Sequence, residues 1–383
     1  MKTTLTMQSM KHLKIWIMSV VVGTLLVAST LPDLASAWWD SEKKIREVLI
    51  KGADLHLSRQ GDYINTCGGG YGPPDIDSIS NTWEWVIGTG ETCWNVGGIS
   101  ATGLLAAYER TRNRAYLEGA LLQGDTLVSR YDTIVTNDPE GAEWEDRPFS
   151  QDIEFLVRLS LDSHDLSYAK VARKWYKIVT DNKTAEENAD RYIDVRLSLA
   201  GWDLASHIRA ALSVGKWQYA CGMAKRLLER RNVWEHFPYN GWDYTMSSYG
   251  SLLWAFDDLD FKCSGISAAI QEFQDFVLGA QGVDGSWEDG DYQTTAYAIL
   301  GLDAVEAHGY GLKRSVRQAL GKAFSYFHDT QTLEGGWSYP PEYGEINSEV
   351  LMAIGGLRRW EVILPPGDPA LAAPQKPAIT PIQ

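Results

Sequence analysis

Gln281-GVDGS-Trp287-EDGDYQTTAYAILGL and, 50 residues later, Gln331-TLEGG-Trp337-SYPPEYGEINSEVLMAI share one layout. Each runs from a glutamine through a glycine-bearing turn to a tryptophan, then a short polar stretch, then an apolar run rich in Ala, Leu and Ile. Four earlier segments repeat the second half of that layout: Trp94-NVGGISATGLLAAY, Trp144-EDRPFSQDIEFLVRL, Trp202-DLASHIRAAL and Trp242-DYTMSSYGSLLWAF. Successive tryptophans stand 50, 58, 40, 45 and 50 residues apart. Self-similarity at such intervals marks a supersecondary unit repeated along the chain.

Between these segments lie stretches whose apolar residues recur every three or four positions with Lys, Arg and Glu between them: Ser41 to Leu57, Arg114 to Tyr131, Tyr168 to Thr180, Lys216 to Arg230, Ile266 to Leu278 and Ser315 to His328. That period belongs to helices buried on one side. The stretches after each tryptophan carry far fewer charges, as helices buried all round would. The contrast predicts an inner ring of helices wrapped by an outer ring. Six hairpins closed on themselves leave no apolar end uncovered. The expected fold is therefore all-α, an (α/α)6 toroid over residues 38–364, with Lys183 to Ala200 as an insert that adds a helix. Strand alternation is nearly absent.

The Gln-to-Trp spacing of the last two units resembles the QW repeat of the terpenoid cyclase and protein prenyltransferase superfamily, whose fold is an α/α toroid. The other four units keep the Trp but have Gly88, Asp138, Arg196 and His236 where the Gln stands. The resemblance implies a fold more than an activity. The DxDD acid of class II cyclases has no counterpart, its nearest approach being Asp257-Asp258-Leu259-Asp260. Where prenyltransferases place zinc ligands, this chain offers Asp291 with Gln293 and Asn347 with Glu349, lacking the Cys and His. No metal and no cofactor is expected.

At the N-terminus Lys11 and Lys14 precede an apolar run, Ile15 to Val27, that leads to Ala35-Ser36-Ala37. These are the parts of a secretory signal peptide over 1–37, and the run is short of the roughly 20 residues that span a bilayer. A secreted or periplasmic protein follows, with no membrane attachment after cleavage. Formal charge is −15, and near −17 once the three Lys and one Asp of 1–37 are gone. That surface excludes nucleic acid as a partner. Cys67, Cys93, Cys221 and Cys263 permit two disulfides in an exported chain. Sequence neighbours favour Cys67–Cys93 with Cys221–Cys263, though three pairings are possible. Residues 365–383, rich in Pro and Ala, read as a disordered tail.

In a closed toroid one mouth gathers the N-termini of the inner helices, where backbone N–H groups give a positive potential. Side chains in the first turns are the candidates: Asp152, Glu154, Asp291, Tyr292 and Glu349 as acids or bases, and His207, Arg209 and Asn347 as binding groups. Ser150, Ser206, Thr294 and Asn347 also sit where N-caps belong, and capping the helix is the competing role for residues there. Glu349 precedes an apolar helix, and burial there raises a carboxyl toward the range of a general acid. The long loop Asp62 to Thr92 carries Gly68-Gly69-Gly70-Tyr71-Gly72-Pro73-Pro74 and two further candidates, Trp83 and Trp85, able either to stack on a ligand or to anchor the loop.

Export, abundant aromatics (16 Trp, 18 Tyr) and carboxylates gathered at one mouth favour a carbohydrate-active enzyme of lyase, glycosidase or epimerase type. The partner is then a polysaccharide. Two alternatives stand beside it: a non-catalytic ligand-binding or scaffold toroid, its ligand then a polysaccharide or an apolar small molecule, and an isoprenoid-processing protein of the kind the repeat suggests.

Overall fold

The computed structural model describes residues 42–66, 78–93, 95–137, 149–180, 182–308, 313–337 and 341–357. The expected signal peptide, the tail, Trp94, Trp144, Cys67 and the glycine run 68–70 lie outside them. Two compact units divide the chain, Met1–Lys44 and Ile45–Gln383. Of the first, residues 42–44 are described and form one helical turn. The architecture below is that of the second.

Helix α1 runs from 45 to 58 in this unit. Three short strands follow, β1 (Gly61–Asn65), β2 (Ser78–Thr82) and β3 (Glu91–Thr92), and then α2 (Val96–Thr111), α3 (Arg114–Asn137), α4 (Ser150–Ser163), α5 (Leu166–Thr180) and α6 (Ala185–Arg196). The chain continues through α7 (Ala200–Ser213), α8 (Trp217–Glu229), a single turn α9 (Arg231–Trp234), α10 (Thr245–Asp260), α11 (Ser267–Gly279), α12 (Tyr292–His308), α13 (Lys313–Thr330) and α14 (Gly344–Gly356).

Helices α2, α4, α7, α10, α12 and α14 pack each on the next, and α14 packs back on α2. The ring is closed. Outside it α3 covers α2, α5 covers α4, α8 covers α7, α11 covers α10 and α13 covers α12. The architecture is the expected (α/α)6 toroid. Charge patterning produces the two layers. In α5, Ala169, Ala172, Trp175, Tyr176 and Val179 are buried, while Lys170, Arg173 and Lys177 on the other face are exposed. Inner helix α10 is buried from Thr245 to Ser251 without a break. The insert forms α6, which opens with a capping box between Thr184 and Glu187 and packs on α7 and α8.

Two close approaches hold the inner ring tight. A Cβ on Gly103 of α2 would lie 2.3 Å from Ser348 Oγ of α14, and that hydroxyl accepts from Gly103 N at 3.0 Å while donating to Ile99 O at 2.6 Å. Between α10 and α12, a Cβ on Gly250 would meet the Tyr297 carbonyl carbon at 2.6 Å. Only glycine fits at either place.

The two full Gln-to-Trp segments fold alike. Trp287 and Trp337 are buried, and their indoles donate to Val277 O at 2.7 Å and Phe327 O at 2.8 Å. Their backbone amides donate to Thr295 Oγ1 at 3.1 Å and Asn347 Oδ1 at 2.8 Å in the inner helix that follows. Gln281 ties α11 to α13 through Ala319 O at 2.9 Å, and Gln331 ties α13 to α1 through Val48 O at 3.0 Å.

The expectation that every tryptophan heads an equivalent turn needs correction. Trp202 lies inside α7, and Trp242 is 71% exposed. In that unit Trp234 takes the buried place and donates to Leu227 O at 3.0 Å. Inner helices also begin earlier than the serine and asparagine positions suggested. Ser206 and Asn347 lie within α7 and α14, and α4 opens after Phe149 with no side-chain cap.

The loop 62–92 is not free of strand. β1 pairs antiparallel with β2 and parallel with β3, giving the order β2-β1-β3. Trp83, directly after β2, is fully buried, stacked on His56 at 4.7 Å and donating to its carbonyl at 2.6 Å. Cys221 and Cys263 form a disulfide, and Cys93 is also disulfide-bonded. Among the described residues no helix is long and apolar enough to cross a membrane.

Candidate active site

Between successive inner helices an outer helix runs back, so the inner N-termini share one end of the ring. Glu345 and Glu349 lie one turn apart on α14. Glu349 is fully buried. It accepts from the Tyr297 hydroxyl at 2.7 Å and from Gln293 Nε2 at 2.9 Å, both on α12. Burial, and then the neighbouring charge of Glu345, hold its carboxyl well above the usual range. Glu345 is densely surrounded yet keeps part of its surface exposed at the mouth, and burial pushes it up to about 7. The Tyr297 phenol, buried against Glu349, is raised as well, and its ring meets Trp202 edge-on at 5.3 Å.

Asp291 stands at the start of α12 and caps it, accepting from Thr294 N at 2.6 Å. Its charge reaches Glu349 and also Tyr244, which precedes α10 and feels Glu345 as well. Glu288 adds a carboxyl raised by burial, opposed by a 3.0 Å bond from the Thr294 hydroxyl. The N-terminal mouth therefore holds Asp291 and Glu345 from adjacent inner helices, over a floor of Glu349, Tyr297 and Gln293. Among the described residues no group of three His, Cys, Asp or Glu side chains is disposed to hold a metal.

Below that floor the axis of the ring is plugged. Arg209 of α7 pairs with Glu154 of α4 at 2.9 Å, both largely buried, and its guanidinium lies 3.6 Å from the centre of the Trp254 ring. The gap left among Ile99, Thr102, Gln151, Tyr297 and Met352 is about 10 Å³, room for about one water. Past the plug, at the C-terminal end of the inner helices, a second hollow of about 340 Å³ is lined by Glu109, Arg158, Trp254, Asp257, Asp258 and Asp303 with apolar neighbours.

The ten sequence candidates thus scatter. Asp291 and Glu349 lie within electrostatic range of each other at the mouth end, and Glu154 and Arg209 meet in the plug. Asp152 is fully buried, with its carboxylate against Gly98 of α2 and no side-chain partner; burial pushes it up to about 8, opposed by the amides of Phe149 and Gly98. His207 points away from the axis to Tyr192 of α6 at 2.7 Å, and burial lowers it to about 3. Tyr292 packs outward on Tyr326 of α13 at 5.6 Å. Asn347 locks the Trp337 turn. Trp83 anchors the small sheet, and Trp85, 36% exposed, is held through its backbone to Glu91 and Gly344. Sequence reading missed Glu345, Tyr297 and Trp254. The first two were findable, since each lies within the first two turns of an inner helix.

No protein-family model matches the chain, and no curated protein matches it. Solved structures do. The GH76A alpha-1,6-mannanase from Salegentibacter sp. HEL1_6 aligns with a TM-score of 0.56 at 11% identity, over 82% of this chain and 98% of that one. A polysaccharide lyase aligns at 0.54 with 12% identity, over 82% and 97%. A protein from Actinoplanes aligns at 0.50 with 13% identity, over 82% and 99%. Identities this low make the likeness one of fold, and it extends along nearly the whole of each related chain.

Proposed function

We propose that this chain is a carbohydrate-active enzyme of an oxidising, extracytoplasmic compartment, acting on a polysaccharide at the N-terminal mouth of the inner ring. The observation that carries the reading is that Asp291 of α12 and Glu345 of α14 both lie within electrostatic range of Glu349, which Gln293 and Tyr297 of α12 hold at that end of the ring. Hydrolysing a glycosidic bond uses one carboxyl that protonates the leaving oxygen and a second that attacks the anomeric carbon or deprotonates the water that does. Glu345, pushed up to about 7 and open to the mouth, suits the proton donor to the leaving oxygen. Glu349 beneath it, held by the Tyr297 hydroxyl and Gln293, is a positioning residue whose carboxyl is kept well above the usual range by burial and the Glu345 charge. Asp291, fixed by the bond from Thr294 N, is the second carboxyl. The mannanase and the lyase among the structural relatives support a carbohydrate substrate, and the Cys221–Cys263 disulfide supports export.

Incubating the purified protein with a panel holding α-1,6-mannan and several uronic-acid polymers tests this reading. New reducing ends or unsaturated uronate products are expected from at least one polymer. The absence of cleavage, epimerisation and binding across the panel overturns it. Isoprenoid chemistry of the terpenoid cyclase kind is the other reading that the Gln281–Trp287 and Gln331–Trp337 turns favour, and tight binding of a polyprenyl diphosphate in the same assay would select it.

A further inference from the structure

The segment between α9 and α10 carries a feature that the mouth chemistry does not use. Tyr239 and Trp242 pair across a two-residue turn, Tyr239 N to Trp242 O at 2.9 Å and Trp242 N to Tyr239 O at 3.0 Å. The turn itself is Asn240-Gly241, with φ of 50° and 88°. Both central residues at positive φ make the tight hairpin turn that Asn-Gly favours.

The hairpin is anchored on several sides. Ser198, just ahead of α7, donates its backbone N–H to Phe237 O at 2.9 Å, and its hydroxyl accepts from Tyr244 N at 3.0 Å. Arg196 donates to the Tyr239 hydroxyl at 2.8 Å, with its guanidinium 4.8 Å over the Tyr239 ring, while its Nε holds Asp203 at 2.8 Å. Asp243 accepts from Thr245 N at 3.0 Å at the start of α10. With the backbone so fixed, Trp242 is nevertheless 71% exposed. Its place is the rim between the N-termini of α7 and α10, the end of the ring that holds Asp291 and Glu345. Tyr244, two residues on, lies in the field of both carboxyls.

We infer that Trp242 is a stacking platform for a pyranose ring of the bound glycan, a subsite on the rim away from the bond that is broken. The inference rests on the carbohydrate reading of the mouth. A pyranose presents an apolar face of C–H groups and an equatorial belt of hydroxyls, and an exposed indole on a stiff turn offers the flat apolar surface that such a face covers. The hairpin is ordered before the ligand arrives, so stacking costs little conformational entropy. A platform on the rim contributes to long substrates and is out of reach of short ones.

The test uses the full chain carrying Glu345→Gln as a binding trap, titrated calorimetrically with disaccharides and hexasaccharides of α-1,6-mannan and of the uronate polymers. Trp242→Ala is expected to weaken hexasaccharide binding about tenfold, the worth of one good aromatic contact, with a much smaller effect on the disaccharide. Trp242→Phe is expected to recover most of the loss. Equal effects on long and short ligands, or none on either, overturn the platform while the carbohydrate reading stands. If the parent binds no saccharide of either length, the reading of the mouth fails and the platform with it. Trp242 supports no core contact that its removal breaks, so the variants fold and the comparison holds.

Discussion

The side-chain amide of Gln331 donates to the carbonyl of Val48 at 3.0 Å and to that of Gly335 at 2.9 Å, joining positions 283 residues apart in sequence. Lys51 adds a bond to Thr332 O at 2.7 Å in the same place. Through these contacts the last outer helix, α13, grips the first, α1, and the outer ring closes where the inner one does. Gln281 makes the same pair of bonds, to Gly285 O and Ala319 O at 2.9 Å, one hairpin earlier.

Replacing Gln331 by Leu removes two donor contacts and leaves two backbone carbonyls to find other partners. A loss of about 1–3 kcal/mol is expected. Hydrogen exchange should locate it in α1 and α13, whereas Gln281→Leu should loosen α11 and α13. Equal protection of α1 in both variants would show that Gln331 does not close the ring.

Asp152 predicts a pH-dependent stability. Its carboxyl is pushed up to about 8 in the fold, so the folded chain holds that proton more tightly than the unfolded one. The resulting stability is complete below about pH 4 and is lost as pH climbs through about 8. Thermal scans across this range should show Asp152→Asn gaining on the parent as pH rises, by about a few degrees. Parallel curves would place the Asp152 carboxyl outside the buried environment described above.

The plug predicts an asymmetric mutant cycle. Glu154→Leu strands the Arg209 guanidinium, 6% exposed, against Trp254. Such a break costs about 3–5 kcal/mol, and replacing both partners with apolar residues of like size recovers most of it. Chemical denaturation of Glu154→Leu, Arg209→Met and Glu154→Leu/Arg209→Met measures the coupling. Additive losses would contradict a buried pair.

The Cys221–Cys263 bond closes a 42-residue separation. Loop-closure entropy for that length corresponds to about 4 kcal/mol. Cys221→Ser/Cys263→Ser, compared with the parent by denaturant titration, should show a loss of that order, and an unchanged midpoint would mean that α8 and the turn between α10 and α11 are held by packing alone.

Sequence period settled most of the architecture, because a toroid writes its two layers directly as charged-face and uncharged helices. Arg114, Lys216 and Ile266 lie within one residue of the observed helix starts. The site was less legible for a geometric reason. Neighbouring residues on an inner helix point in different directions, so His207 and Arg209, two apart, reach α6 and the ring axis respectively. Nothing in their spacing says which. Asp152 and Glu154 part in the same way, one to Gly98 and the other to Arg209. Glu349 was found because an acid ahead of an apolar run stands out. Glu345 was passed over because α14 begins at Gly344, one residue ahead of it. The tryptophan pattern misled where a buried indole, Trp234, precedes the Trp242 that matches the repeat.

The most direct test of the account is the pH–rate profile of glycan cleavage for the parent and for Glu345→Gln. The parent should lose activity on the alkaline side of about pH 7, as Glu345 gives up its proton, and Glu345→Gln should fall by about 10²–10⁴-fold with its fold intact. A Glu345→Gln variant that cleaves at the parental rate, with the same alkaline limb, would contradict it.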